Sequence, residues 1–195
     1  STDSGPAYLG QGISKYSRST TKAEWKTLME ARASLKIPLV IGSAGTCGTN
    51  SSVDWFLEIT QEIAKELDQK PTIVVLQCSQ SKTNIAAALK KGLLKPLQFA
   101  PPISEELIHD CTNIVGLAGT EQISSAINTG ADIIIAGRST DASLIASYPI
   151  LTGIEKGIAW HGGKIGECGA FCSNNPKTGV ILISFDKEGF TVEPM

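Results

Sequence analysis

The chain has 195 residues, 42% of them apolar and 18% charged, with a formal net charge of −2. This length suffices for a single α/β-sized domain over 1–195, which we interpret as a piece of a longer protein. The near-neutral charge, without a Lys/Arg cluster, argues against nucleic acid as a partner, and the short apolar runs argue against a membrane. Five cysteines without a regular disulfide framework predict the cytoplasm.

The predicted elements alternate between helical and strand patterns along the chain. Helices are predicted over 21–35, 51–69, 83–94, 101–111, 120–130 and 138–150, and strands over 37–44, 71–78, 113–119 and 131–137. Pro149 is expected to end the last of these helices. Two further short strands around 186–189 predict a C-terminal hairpin. The alternation predicts an α/β fold in three layers, a mostly parallel sheet with helices on both faces, plus that hairpin.

A glycine-rich turn, GSAGTCG at 42–48, follows the first predicted strand. It is not a Walker loop, and its spacing differs from G-x-G-x-x-G, so NAD is disfavoured as a cofactor. Two interpretations stay open: an anion site for a carboxylate or phosphate at a helix N-terminus, or a purely structural turn. The candidate ligand-binding residues are Ser43, Gly45, Thr46, Cys47 and Gly48. Cys47 is either a nucleophile or a small packing residue.

The loop after the fourth predicted strand carries Arg138, Ser139, Thr140 and Asp141. Ligands bind at the carboxyl ends of strands in open parallel sheets, and arginine suits bidentate binding of a carboxylate or phosphate. We therefore predict that Arg138, Ser139 and Thr140 bind a ligand and that Asp141 acts in catalysis. Asp141 as a helix cap, or as the ion-pair partner of Arg138, is the structural alternative.

A third candidate segment, 159–171, holds His161, Lys164, Glu167 and Cys168 among several glycines. Acid–base groups at this density predict a mobile active-site segment in which His161 and Glu167 are catalytic. A surface helix with a solvated charged face is the alternative. No metal site is predicted from Cys168 and Cys172, because further ligands at zinc-like spacing are missing.

The blocks STDSGPAYLGQG, IGSAGTCG, GADIIIAGRSTDAS and GKIGECGA, in this order, resemble those of the acyclic terpene utilisation protein family, formerly a domain of unknown function. The resemblance implies that the chain is the central part of a longer family member. It also implies a link to the catabolism of branched acyclic terpenoids and other carboxylic acids through CoA thioesters. The blocks coincide with the candidate loops and add Asp3 and Ser4 at the first block and Glu167 to Gly169 at the last.

These observations predict an enzyme of the lyase, hydratase or hydrolase class, acting on a small carboxylate or an acyl-CoA. Arg138 and the turn amides would hold the anion, Asp3 would contribute to binding, and CoA would be part of the substrate. Two alternatives stay open. One is a noncatalytic or regulatory subunit that needs a partner chain or forms a homo-oligomer. The other is a metal-dependent hydrolase, whose ligands would be Asp3, Asp141, His161 and Glu167.

Overall fold

The structure, a computed structural model, describes residues 6–195. The helices are α1 (Pro6–Gln11), α2 (Arg18–Leu35), α3 (Asn50–Glu66), α4 (Lys82–Lys90), α5 (Glu105–Asp110), α6 (Thr120–Ile127), α7 (Asp141–Leu151) and α8 (Lys156–Glu167), followed by a 3-10 helix (Gly169–Cys172). The strands are β1 (Leu39–Ile41), β2 (Ile73–Leu76), β3 (Ile133–Ala136), β4 (Ile181–Phe185) and β5 (Phe190–Pro194). The predicted mixture of helices and strands is confirmed.

A parallel three-stranded sheet with the order β1-β3-β2 organises residues 39–136. Ile133 on β3 lies opposite Leu39 on β1 and Ile73 on β2. All four residues of β3 are buried, as expected for a central strand of a parallel sheet, which is apolar on both sides. The sheet therefore points the carboxyl ends of β1, β2 and β3 toward one common edge.

The side chains of β3 alternate between two clusters of buried residues. Ile133 and Ile135 pack with residues of α2 and α3, among them Trp25 and Phe56. Ile134 packs with Ala126 of α6 and belongs to the second cluster. This alternation is the period of two that strands impose on their side chains. The predicted three-layer arrangement stays a prediction.

Side-chain caps mark the starts of several helices. Ser17, Thr49 and Thr140 each accept a hydrogen bond from a backbone N–H of the first turn of α2, α3 and α7, respectively. Such caps satisfy backbone donors that have no partner inside the helix. The structural alternative in which Asp141 caps α7 does not hold, because Thr140 takes that position and Asp141 is the first helical residue.

The predicted strand over 113–119 is wrong. Val115 and Ala118 form only isolated bridges, to Ser79 and Ser139. The segment runs across the ends of the strands and bonds to the loops that follow them: Gly116 N donates to Cys78 O (2.7 Å), and Ala118 N donates to Arg138 O (2.8 Å). Because its hydrogen bonds go to two different loops, it cannot pair with one strand over its length.

Pro149 does not end α7, which continues to Leu151. Proline is tolerated there because it lies in the last turn, where one lost hydrogen bond leaves the preceding turns intact. The predicted C-terminal hairpin is confirmed: β4 and β5 pair antiparallel, and Asp186 Oδ1 accepts hydrogen bonds from the N–H groups of Glu188 and Gly189. Among the described residues, no helix is long and apolar enough to cross a membrane.

Candidate functional site

Three loops converge at the carboxyl ends of the parallel strands. The β1–α3 turn joins the β3–α7 loop through Arg138 N, which donates to Gly48 O (2.9 Å). It joins the loop after β2 through a reciprocal pair, in which Asn50 N donates to Ser79 Oγ and Ser79 N donates to Asn50 Oδ1, both at 2.9 Å. Loops at this edge are where ligands bind in open parallel sheets. The two loops that carry predicted ligand-binding residues, after β1 and β3, are therefore in contact at this edge.

The glycines of the turn permit close packing of one loop on another. A Cβ on Gly48 would lie 2.5 Å from Arg138 N, and a Cβ on Gly45 would lie 2.8 Å from Ser52 Cβ. A Cβ on Gly42 would collide with Ser139 Oγ and with Leu144. Each glycine is thus explained by a neighbouring segment of the chain itself. This favours the structural interpretation of the G-x-x-G-x-x-G spacing.

Several amides of the turn already serve the backbone. Ser43 N donates to Gly137 O (2.9 Å), Ala44 N to Ala136 O (3.0 Å) and Gly48 N to Ala44 O (3.1 Å). An anion would have to be bound by other donors of the turn and its surroundings. The predicted cradle of turn amides is therefore smaller than the glycine pattern indicates.

Two residues of the turn adopt a left-handed backbone that L-residues avoid. The φ angle is +49° at Ser43 and +67° at Thr46. A positive φ is uncommon for any residue other than glycine, and it is especially unusual at Thr46, whose side chain is β-branched. Both residues are fully buried. Thr46 Oγ1 accepts a hydrogen bond from Lys15 N (2.9 Å), and Ser43 Oγ donates to Ser139 O (3.3 Å). Strained backbone of this kind persists where the surroundings fix it, and it is concentrated at functional sites.

Cys47 is fully buried. Its Sγ lies 2.6 Å from Ser52 Oγ and 3.5 Å from Thr49 Oγ1, within the first turn of α3. A nucleophile must be reachable by its substrate, whereas a small packing residue is typically inaccessible. The placement of Cys47 favours the packing interpretation.

The β3–α7 loop presents residues of graded burial. Ser139 is buried and accepts the Ser43 hydroxyl at its carbonyl, while Arg138, Thr140 and Asp141 are half-buried. Asp141 Oδ1 is shielded from solvent and accepts no hydrogen bond from the residues that the structure describes. Within residues 6–195, the structure places no ion pair between Asp141 and Arg138. A shielded carboxylate oxygen without a donor is costly, and this cost suits a residue that receives a proton or a ligand donor.

Most of the third candidate segment, 159–171, lies in helix α8. Its secondary structure is therefore that of the alternative interpretation, a surface helix. Lys164 Nζ pairs with Glu167 Oε1 at 2.9 Å. The hydrogen bond that Lys164 donates to Glu167, with smaller contributions from the charges of Glu167, Cys168 and Asp141, raises the pKa of Lys164 above its ordinary value. Glu167, at the end of α8, is therefore the direct partner of Lys164, and Asp141, at the start of α7, makes the smallest of these contributions. The predicted mobility of the segment stays a prediction.

His161 lies in a different environment. Its ring packs edge-on against Phe190 of β5, with centroids 5.1 Å apart, and the residue is exposed. The neighbouring Gly162 faces the same hairpin, where a Cβ would lie 2.5 Å from Phe185 Cε1. The structure thus pairs Glu167 with Lys164 and places His161 against the hairpin.

Ligands for a metal ion are a separate question. Within residues 6–195, no group of three or more His, Cys, Asp or Glu side chains is placed to hold a metal ion. Asp141, His161 and Glu167, from the metal-dependent hydrolase alternative, do not form such a group there. Asp3, its fourth member, and Ser4 lie outside the described residues.

The family model described as acyclic terpene utilisation family protein AtuA matches residues 13–175. This match spans most of the 195 residues. The chain belongs to this family. The comparisons with curated proteins and with solved structures gave no match. The resemblance drawn from the sequence blocks is therefore confirmed, and the matched range of this family member contains the parallel sheet, both candidate loops and α8.

Sequence reasoning missed several residues of this family member's candidate site. Asn50 and Ser79 were not among the predicted site residues, although the two bind each other across the strand ends. Cys78 is buried beside Gly137, and burial raises the pKa of its thiol. The available signal was position: Cys78 and Ser79 follow a predicted strand directly, as Arg138 does after β3.

Proposed function

We propose that the chain is an enzyme of carboxylic-acid or acyl-CoA catabolism, of the kind that uses branched acyclic terpenoid acids. It binds a small carboxylate or a thioester at the carboxyl ends of β1 and β3. Its chemistry belongs to the lyase, hydratase or hydrolase class, and CoA is part of the substrate rather than a resident cofactor. Membership of the acyclic terpene utilisation family supports this reaction context. We also propose that the protein is cytoplasmic and that its helices cover both faces of the parallel sheet in three layers.

One observation carries the proposal: Arg138 stands at the end of the central strand, on a loop that a strained neighbour holds in place. Arg138 N bonds to Gly48 O at 2.9 Å, and the following Ser139 carbonyl accepts the hydroxyl of Ser43, whose φ is +49°. A guanidinium on a fixed backbone can meet a carboxylate with two parallel hydrogen bonds and little loss of entropy. Arg138 would therefore orient the acid or thioester.

Proton transfer is assigned first to Asp141. Its shielded Oδ1 accepts no hydrogen bond from the described residues, so it is available to a substrate proton. Glu167, held by Lys164 at 2.9 Å, is the second candidate for proton transfer. His161 is the third candidate, from its place against Phe190. Thr140, half-buried on the β3–α7 loop, would contribute its hydroxyl group beside the bound anion, with Asp3 from the N-terminal block.

Thermal shift of the full chain tests the binding step. Branched acyclic carboxylates, their CoA thioesters and free CoA are the probes. A ligand at about 100 times its Kd adds roughly 2.7 kcal/mol, which raises the midpoint by about 5–10 °C for a domain of this size. Arg138→Ala should remove most of that rise. Arg18→Ala, at an exposed arginine that pairs with Glu62, should keep it. An equal rise in both variants would remove Arg138 from the site.

Mass spectrometry of a thioester after incubation separates the reaction classes. A hydratase adds the mass of water, a hydrolase releases free CoA, and a lyase shortens the acid. Asp141→Asn preserves shape and removes the proton acceptor, so product should be lost while the thermal shift remains. Full turnover by this variant would reassign proton transfer to Glu167 or His161.

A second candidate, a noncatalytic subunit that needs a partner chain, is favoured by the surface around α4 and α5. Leu93, Leu97, Phe99, Ile103 and Leu107 are all exposed there, Phe99 at 94%. Several large apolar side chains exposed within one segment of 15 residues, 93–107, favour an interaction site there. Light scattering across a concentration series distinguishes the candidates. Self-association that Phe99→Ser abolishes and Phe171→Ser, at another exposed phenylalanine, preserves would favour the subunit.

A further inference from the structure

We propose that an apolar cavity between α7, the 3-10 helix and β4 receives the aliphatic chain of the ligand whose acid or thioester group is bound at the carboxyl ends of the strands. The cavity measures about 510 Å³, within the range of small-molecule sites. The inference rests on the proposed function for the identity of the polar group, but the cavity itself is independent of Arg138. It deepens the proposal by assigning a second recognition element, specific for chain length and branching.

The walls of the cavity are aliphatic on two sides. Ile145 and Tyr148 of α7 form one wall, and Ile181 and Ile183 of β4 form the other. The two isoleucines of β4 alternate with Leu182, which is 49% exposed on the opposite face of the hairpin. A strand with this period of two offers one face to the cavity and the other to solvent. Such walls suit a hydrocarbon chain, which forms no hydrogen bonds.

Glycine sets the distance between the walls. A Cβ on Gly166 would lie 2.6 Å from Ile145 Cδ1 and 2.9 Å from Ile183 Cδ1. One turn further on, a Cβ on Gly169 would lie 2.7 Å from Ile181 Cδ1. Any side chain at these positions would enter the space between α7 and β4. The cavity therefore depends on glycines of the segment that sequence analysis singled out for chemistry.

Charged residues neighbour the lining residues along α7 and α8. Asp141 precedes Ile145 by four residues and Tyr148 by seven, so all three lie on one face of α7. The rise of a helix places Asp141 about 6 Å from Ile145 along the axis. Glu167, next to Gly166, is held by Lys164 at 2.9 Å, and Asp141 contributes to the electrostatic environment of Lys164. Helix α7 therefore leads from Asp141, which adjoins the Arg138 loop, to the lining residues Ile145 and Tyr148. A ligand whose polar group lies at that loop has its hydrocarbon tail directed along α7 toward the cavity.

Isothermal titration of the full chain with three probes tests the assignment. The probes are a ten-carbon, methyl-branched carboxylic acid, the corresponding alcohol, and isobutyrate as an acid with almost no tail. Burial of several additional methylene groups should make the ten-carbon acid bind at least about tenfold more tightly than isobutyrate. The alcohol should also bind, since the cavity recognises the tail alone.

Two variants fill the cavity from different walls: Ala170→Phe from the 3-10 helix and Val180→Phe from the rim, where Val180 is 65% exposed. Each should weaken both ten-carbon probes by about tenfold. Leu182→Phe, on the outer face of β4, is the matched control and should change neither Kd. Val180 is exposed, so its variant keeps the test decisive if Ala170→Phe fails to fold.

The outcomes separate the cavity from the proposed function. Weaker binding of both ten-carbon probes in the cavity variants, with Arg138→Ala weakening only the acids, supports both proposals. If Arg138→Ala changes nothing while the cavity variants still act, the cavity stands and the assignment of Arg138 fails. Equal affinity for the long and short acids, unaffected by either cavity variant, overturns the cavity proposal and leaves the proposed function. Failure of both ten-carbon probes to bind also overturns the cavity proposal, as expected if another segment of protein fills it.

Discussion

Two glycine-rich segments, 42–48 and 162–169, use the same residue for different purposes. In the first, Gly45 and Gly48 have φ angles of +65° and +68°, and the nearest neighbour of a Cβ on Gly48 would be the backbone of Arg138. In the second, Gly162 and Gly166 lie inside helix α8 and face ring or methyl carbons of the hairpin and α7. The first segment therefore needs glycine for its backbone angles and for contact with another backbone. The second needs it mainly for room.

The difference shows what a glycine pattern indicates about ligands. Close loop packing at 42–48 buries every residue from 42 to 49, so the glycines there position the neighbouring Arg138 loop. Glycines at 166 and 169 instead border a cavity of about 510 Å³. The regularly spaced glycines at 42–48, which most resemble a ligand-binding loop, are thus packed against other parts of the chain. The less regularly spaced glycines at 166 and 169 line a cavity instead.

Gly48→Ala is expected to have the largest effect. A left-handed φ costs an L-residue about 1–2 kcal/mol, and a Cβ 2.5 Å from Arg138 N must displace backbone, which adds about 1–3 kcal/mol. We expect a loss of about 3 kcal/mol in the free energy of unfolding, measured by urea denaturation.

Gly130→Ala separates the two contributions. Its φ is +74°, but nothing lies within 4 Å of a Cβ there, so only the conformational cost of about 1 kcal/mol should appear. If Gly48→Ala cost no more than Gly130→Ala, the tight contact between the β1 turn and the β3 loop would not be rigid.

Gly163→Ala tests the second segment with a smaller expected effect. A Cβ there would lie 2.6 Å from Ala142 O, a backbone atom of α7. Overpacking of about 1–3 kcal/mol is partly offset by the better helix propensity of alanine, about 1 kcal/mol. A net loss of about 1 kcal/mol, within a range of about 0–2 kcal/mol, should lower the thermal midpoint by about 2–4 °C. Gly10→Ala, in α1 with no atom within 4 Å of a Cβ, is the control and should not lower the thermal midpoint. If Gly163→Ala and Gly10→Ala had equal midpoints, α7 and α8 would move apart at no cost.

Periodicity was sufficient to predict most of the fold. The burial of Ile133, Ile134 and Ile135 follows from an unbroken apolar run, and the hairpin follows from the turn residues Asp186 and Gly189. The segment 113–119 was misassigned because its apolar composition is typical of a strand. Its hydrogen bonds go to loops that are distant in sequence, and composition carries no information about such partners.

The candidate site was predicted in part. Strand-end position correctly brought the turn at 42–48 and the loop at Arg138 together, because parallel strands end at one edge. The burial of Cys47 and the separation of His161 from Asp141 depend on packing between α3, α8 and the hairpin. No local pattern encodes that packing. The cavity beside Ile145 was missed for the same reason, since its walls come from segments about 35 residues apart.

The smallest expected effect concerns the support of the first segment and depends on pH. Lys22 and Lys26 of α2 hold Glu66 of α3, chiefly through side-chain hydrogen bonds, and lower its pKa from the ordinary 4.5 to about 2. Because the folded-state pKa is depressed, this stabilisation is complete above the ordinary value and is lost as the pH falls toward about 2.

These groups are exposed, so the effect should be small and should fade at high salt. Backbone hydrogen exchange at 42–48, the turn that leads into α3, should become faster as the pH falls from 4.5 to about 2, after correction for the intrinsic rate. Exchange at 162–169 should stay unchanged. Glu66→Gln should remove this dependence, and Glu58→Gln, an exposed glutamate of the same helix, should preserve it. A parallel rise in both segments would show that they open together, and the two glycine-rich segments would then be one cooperative unit despite their different packing.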